Sequence, residues 1–144
     1  MVDVTPKPTM RREASAEGTI KLRPETVELI KAGRVGKGSP LEVAKLAGIL
    51  AAKNTSQIIP LCHPLPLSHV DIDVKVSGRD TVKVVASVKT EAKTGVEMEA
   101  LTGAATALLT VWDMVKMYEK DRRGQYPNTE ILSLIVKRKV KTKL

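Results

Sequence analysis

The sequence predicts an α+β fold: an antiparallel four-stranded sheet with helices packed on one face. Three observations lead there. Several segments alternate apolar and polar residues with period 2, the mark of strands covered on one side only. Between them lie segments of helical period with recognisable start signals. The order is strand, two helices, two strands, long helix, strand, which matches a ferredoxin-like arrangement.

Ala14, Ala16, Gly18, Ile20 and Leu22 alternate with polar residues and read as the first strand. Pro24 opens a short amphipathic helix carrying Val27, Leu29 and Ile30, which stops at Gly33. A glycine-rich loop follows, Gly33-Arg34-Val35-Gly36-Lys37-Gly38. Ser39 as N-cap, Pro40 at the first helical position and Glu42 three residues on predict a helix reaching about Asn54. Val70, Ile72, Val74 and Val76, then Val82, Val84, Ala86 and Val88, are two strands joined by a turn at Gly78 to Asp80. Thr94-Gly95-Val96-Glu97 has the spacing of a second capping box, opening a helix that runs to about Lys120. Ile131 to Val136 is the last strand.

At 144 residues the chain fits one domain, 1–144, with residues 1–10 and 138–144 expected as mobile ends. No signal peptide is visible, and no apolar run approaches the roughly 20 residues a membrane helix needs. A single cysteine, Cys62, cannot form an internal disulfide, which suits a reducing cytoplasm. The net charge of +8 points to an anionic partner. RNA is the obvious rival, but RNA-binding sheets stack bases on aromatic rings. Here the only aromatics are Trp112, Tyr118 and Tyr126, none in a sheet interior, which makes nucleic acid a poor fit.

From Ala100 to Trp112 the long helix has no charged residue. Leu101, Ala105, Leu108, Trp112 and Val115 form one stripe, while Gly103, Thr106, Ala107 and Thr110 occupy the other side. A helix with no wet face is buried on more than one side. The sheet covers one, and a second subunit is expected on the other.

Asp113 and Lys116 follow, three residues apart on the helix surface. Lys116 falls by angle within the apolar stripe. Either it is an ordinary ion pair near a helix end, or function requires a lysine of lowered pKa. Pro60 to Pro66 is an apolar loop stiffened by prolines, with Cys62 and His63 in its middle; His63 reads equally as structural or catalytic. One cysteine and two histidines are too few for a metal centre. Glu97 and Glu99 suit the positive end of the long helix. Lys37 precedes a helix start, which makes either an anion site or a plain connector. It is not a Walker loop, since Gly38 follows Lys37.

Together these segments resemble a known family. Met1-Val2-Asp3-Val4, Pro24-Glu25-Thr26, Lys37-Gly38, Ala47-Gly48-Ile49, Ala51-Ala52-Lys53, Ile59-Pro60-Leu61-Cys62-His63-Pro64-Leu65, Thr94 to Thr102 and Asp113-Met114 with Lys116 are similar to the signature blocks of cyclic pyranopterin monophosphate synthases. They stand in the family's order across nearly the whole chain.

The resemblance implies a lyase of molybdenum cofactor biosynthesis. It would convert 3′,8-cyclo-7,8-dihydro-GTP to cyclic pyranopterin monophosphate with release of pyrophosphate, using no redox cofactor. It also implies that Asp113, Lys116 and Lys37 are catalytic, and that Leu61, Cys62, His63, Glu97, Met98, Glu99 and Lys137 bind substrate. Bacterial relatives commonly end in Lys-Ser-Gly-Gly-Lys-Ser-Gly, whereas here Lys137 runs into Arg138-Lys139-Val140. A homohexamer built as a trimer of dimers, with sites at subunit interfaces, is implied as well. The alternatives are a non-enzymatic nucleotide- or RNA-binding module and a structural oligomerisation domain.

Overall fold

A computed structural model describes all 144 residues. The elements are β1 (Met10–Lys21), α1 (Pro24–Lys31), α2 (Pro40–Lys53), a single turn α3 (Thr55–Ile58), β2 (Leu67–Val76), β3 (Thr81–Ala92), α4 (Glu97–Glu119) and β4 (Glu130–Thr142). The sheet order is β2-β3-β1-β4, antiparallel throughout, which is compatible with the ferredoxin-like arrangement.

The period-2 pattern sorts the two faces of the sheet. Ala14, Ala16, Ile20, Ile72, Val82, Val84, Ala86 and Val88 lie buried under the helices. The opposite face carries charges that pair across strands, Glu17 with Lys83 at 3.0 Å and Glu13 with Lys89 at 3.5 Å. Such pairs contribute only a few tenths of a kcal/mol each, about the worth of any exposed cross-strand ion pair.

The α2 start forms as its sequence predicts, with Ser39 Oγ accepting from the Glu42 N–H at 3.4 Å. The start of α4 does not. Its N-cap is Val96, no side chain caps it, and Glu97 is therefore the first helical residue rather than the third. Thr94 lies two positions too early to cap, so the Glu97 carboxylate is free to pair elsewhere. At the far end of α4, Glu119 is fully buried. Its carboxylate accepts from Arg23 N at 3.0 Å, from the Thr26 hydroxyl, and from Thr129 Oγ1 at 2.7 Å. It thereby satisfies the N-terminus of α1, where Arg23 supplies no side-chain cap.

Two sequence expectations are corrected here. The second covered side of α4 belongs to α2 of the same chain. A Cβ on Gly48 would stand 2.9 Å from the Gly103 carbonyl, and one on Gly103 would stand 3.1 Å from that of Gly48. The helices therefore touch backbone to backbone. Small residues let helices approach this way within a chain as readily as between chains, so the pattern could not tell the two cases apart. The basic tail, expected as a mobile end, is instead strand. β4 continues through Lys137–Thr142, and Arg11 pairs with Thr142. Alternating lysines leave the backbone free to complete the ladder along a β1 of 12 residues.

β4 is an edge strand, and Ile131, Leu132, Leu134, Ile135 and Val136 on it stay exposed. Val43, Leu46 and Leu50 form a similar exposed row on α2. No helix is long and apolar enough to cross a membrane.

Candidate functional site

The fold gathers the sequence-predicted residues into two groups, one toward each end of α4. Toward the C-terminal end, Asp113 projects from the helix beneath the glycine loop. Lys37 Nζ donates to the Asp113 carbonyl at 2.9 Å and to its Oδ2 at 3.2 Å. Lys116 Nζ lies 2.8 Å from Oδ1. One carboxylate thus holds two ammonium groups, and the glycine loop is what delivers the second. Gly33 and Gly38 take positive φ at 66° and 111°, which only glycine adopts without strain. Gly36 N–H then donates to Tyr118 Oη at 2.8 Å, fixing the loop over α4.

The electrostatics follow from the geometry. Hydrogen bonds from Lys116 and then Lys37 hold Asp113 below the usual carboxylate range. The same bond raises Lys116 above its ordinary value. A lysine of lowered pKa was one of the two sequence readings, and it is not what forms. The Lys116 side chain is 43% exposed and paired, so neither burial nor like charge drives its proton off.

Near the N-terminal end of α4, an open cleft of about 460 Å³ is lined by Leu61, Cys62, His63, Glu97, Met98 and Glu99, together with Val2, Val4 and Lys7. The proline-rich loop supplies the first three and the helix start the next three. Glu99 is 4% exposed, and its Oε2 has no hydrogen-bond partner. Burial, reinforced by the charge of Glu97, raises its pKa. Burial also works to raise Glu97, but the hydrogen bond from Lys139, a backbone bond and the nearby Arg12 outweigh it, so its pKa is lowered. Burial and then Glu99 push the Cys62 thiol up, which keeps it protonated and a poor nucleophile.

Lys137 does not join this cleft. Its ammonium lies 3.7 Å from Glu17 on the helix-free face. The β1–β4 pairing shifts register between Ser15 and Ala16, so Arg138 and Val136 are partners there and Lys137 is not. Beyond that bulge it is Lys139 that turns to Glu97. Bulges leave no mark in residue spacing, so sequence reading could not choose between two lysines two apart. Arg12 was missed as well. It reads as one of a solvated pair with Arg11, yet it is buried, its Nε has no partner, and its Nη2 donates to the Lys93 carbonyl at 3.3 Å. The segment Arg122 to Thr129 makes a tight turn around Asp121 and sets Tyr126 edge-on against Trp112 at 5.4 Å.

Glu99 and Asp113 are 14 residues apart on one helix, hence roughly 21 Å at 1.5 Å per residue. Within one chain the two groups cannot meet at a single reacting atom.

Comparison with known proteins bears on what these groups are for. A Sulfurisphaera tokodaii protein is 56% identical over 142 residues, covering 99% of this chain and 93% of its own length. One from Pyrococcus furiosus is 55% identical over 141 residues, covering 98% and 90%. One from Sulfolobus acidocaldarius is 49% identical, covering 99% of both. All three carry the name "Probable cyclic pyranopterin monophosphate synthase". The MoaC family matches residues 1–142, and with it the chain's place is established: it belongs to the MoaC family.

Proposed function

We infer that the chain is a cyclic pyranopterin monophosphate synthase acting in molybdenum cofactor biosynthesis. It is a lyase that takes 3′,8-cyclo-7,8-dihydro-GTP to cyclic pyranopterin monophosphate and releases pyrophosphate. The single observation that carries the reading is Asp113 held between Lys37 and Lys116 in a chain of the MoaC family.

The reaction opens the purine-derived ring by hydrolysis, then closes a cyclic phosphate as a ribose hydroxyl attacks the α-phosphorus. Proton transfers and growing phosphate charge both need positioned groups. Asp113, kept ionised, is a weak base while both ammoniums hold it. Its role is to aim two cations at one point, where Lys116 gives up a proton and Lys37 meets developing negative charge. Lys116→Ala assayed on the purified cyclic intermediate tests this role, and near-normal turnover eliminates it. The activity itself is tested by incubating the wild-type protein with that intermediate and detecting pyrophosphate and pterin.

The cleft of Leu61, Cys62, His63, Glu97, Met98 and Glu99 binds the other part of the substrate. The separation along α4 supports active sites shared between subunits, with Asp113 from one chain facing the glutamates of another. The exposed apolar residues of β4 and α2 suit such contacts, and a hexamer made of three dimers provides them. Mixing Asp113→Ala and Glu99→Ala chains should then restore part of the activity, and no recovery refutes shared sites. A cytoplasmic location suits an enzyme with one unpaired cysteine and a nucleotide-derived substrate. The RNA-binding alternative is not favoured. The helix-free sheet face interleaves Glu13, Glu17, Asp71 and Asp73 with its lysines and offers no Phe, Tyr or Trp for a base.

A further inference from the structure

The segment before β1 has no regular structure, yet its course is fixed. Thr5 N–H donates to Asp3 Oδ1 at 2.8 Å and Lys7 N–H to the Val4 carbonyl at 3.0 Å. Lys93 Nζ reaches across from beyond β3 to the Thr5 carbonyl at 2.7 Å. Pro6 and Pro8 restrict the chain between these bonds and the sheet. Val2, Val4 and Lys7 thereby become a wall of the cleft. One contact made by this strap is of a different kind: the Val2 carbonyl lies 2.8 Å from His63 Nε2.

A carbonyl oxygen can only accept. His63 Nε2 must therefore carry the proton, whether the ring is neutral or charged. No protein group bonds Nδ1, so Nδ1 is the nitrogen left to a ligand. The neutral ring accepts through it and the charged ring donates through it.

We propose that the strap is a positioning element of the cleft: through the Val2 carbonyl it sets the tautomer of His63 and presents Nδ1 to a nucleotide-derived ligand. His63 is the binding residue, and Val2 acts through it by its main chain alone. The kinetic part rests on the synthase reading given above, while the tautomer is read without any substrate.

The experiment labels histidine with ¹⁵N and records ring couplings of His63 in the wild-type chain, in a chain lacking residues 2–4, and in Val2→Ala. The wild type should show the Nε2–H form alone at pH values where the ring is neutral. Loss of residues 2–4 should give a mixture of tautomers. Val2→Ala, which keeps the carbonyl, should retain the single form. With the cyclised GTP intermediate as substrate, loss of residues 2–4 should raise KM by roughly fivefold, the worth of one hydrogen bond, with kcat altered by less than about twofold. An unchanged tautomer after the deletion overturns the proposal, and an altered tautomer with unchanged KM overturns its functional half. If the shortened chain does not fold, Lys93→Met loosens the strap from the side and is read by the same couplings. A tautomer shift in a chain whose wild type turns over no substrate upholds the positioning role and sinks the synthase reading alone.

Discussion

The two ends of α4 differ in one carboxylate: Glu97 is paired with Lys139, but Glu99 beside it is not matched as the acids of the far end are. Toward the C-terminal end every acid is matched: Asp113 by two lysines, and the buried Glu119 by a main-chain N–H and two hydroxyls. Near the N-terminal end, Glu99 is buried almost as deeply with one oxygen bonded to nothing. A matched acid is a finished structural unit or a preset electrostatic device. An orphaned one awaits a partner, because an unsatisfied buried polar atom costs about 1–3 kcal/mol until something bonds it. On the proposed reading, the matched end performs the charge chemistry and the end with Glu99 binds the substrate.

The sharpest way to break the matched end is Asp113→Asn. With the charge gone, Lys116 loses its ion pair and Lys37 keeps only the Asp113 main-chain carbonyl, and pyrophosphate release should fall about 10³-fold, or about 4 kcal/mol in the barrier. The melting temperature should hardly move, since the pairs are exposed. Glu119→Ala attacks the same end structurally. It leaves Arg23 N–H, Thr26 and Thr129 without their acceptor, and urea unfolding should show a loss of about 3 kcal/mol.

Gly48→Ala probes what lies between the ends. The new methyl must displace the Gly103 backbone, a cost that exceeds the gain in helix propensity, so a net loss of about 1 kcal/mol is expected by urea titration. An effect of similar size and opposite sign belongs to the orphaned end. Above pH 4.5, the ordinary value for Glu99, the unfolded chain releases this proton while the folded chain keeps it. The folded state then binds more protons, so this group's contribution to stability falls as pH rises from 4.5 through the raised folded pKa. Glu99→Gln should remove that slope and stabilise the ligand-free chain at neutral pH by about 1 kcal/mol. An unaltered slope would place Glu99 with the matched acids.

The sequence made these elements legible where periodicity alone sets structure. The alternation of β1, β2 and β3 and the uncharged length of α4 emerge as read. Asp113, Lys116 and the Pro60–Pro66 loop were visible through spacing and resemblance. What was hidden depends on contacts between distant segments. Gly103 and Ala107 looked like a face for another subunit because a glycine does not say whose backbone it admits. Lys116 stood open between an ion pair and a lysine of lowered pKa, because helix angle alone does not show whether the carboxylate three residues back is turned toward it. The pairing of Lys139 with Glu97 was hidden by a bulge, and the burial of Arg12 by its charged neighbours.

The backbone contact between Gly48 and Gly103 has a mechanical consequence. It clamps α4 near its N-terminal third to a second helix with no side chains between them to slide, while Glu119 pins its far tip. A rod held at both places keeps a constant gauge between its two working groups. Whatever engages them is sorted by its own length, or by how neighbouring copies are set side by side, and not by flexing of the helix.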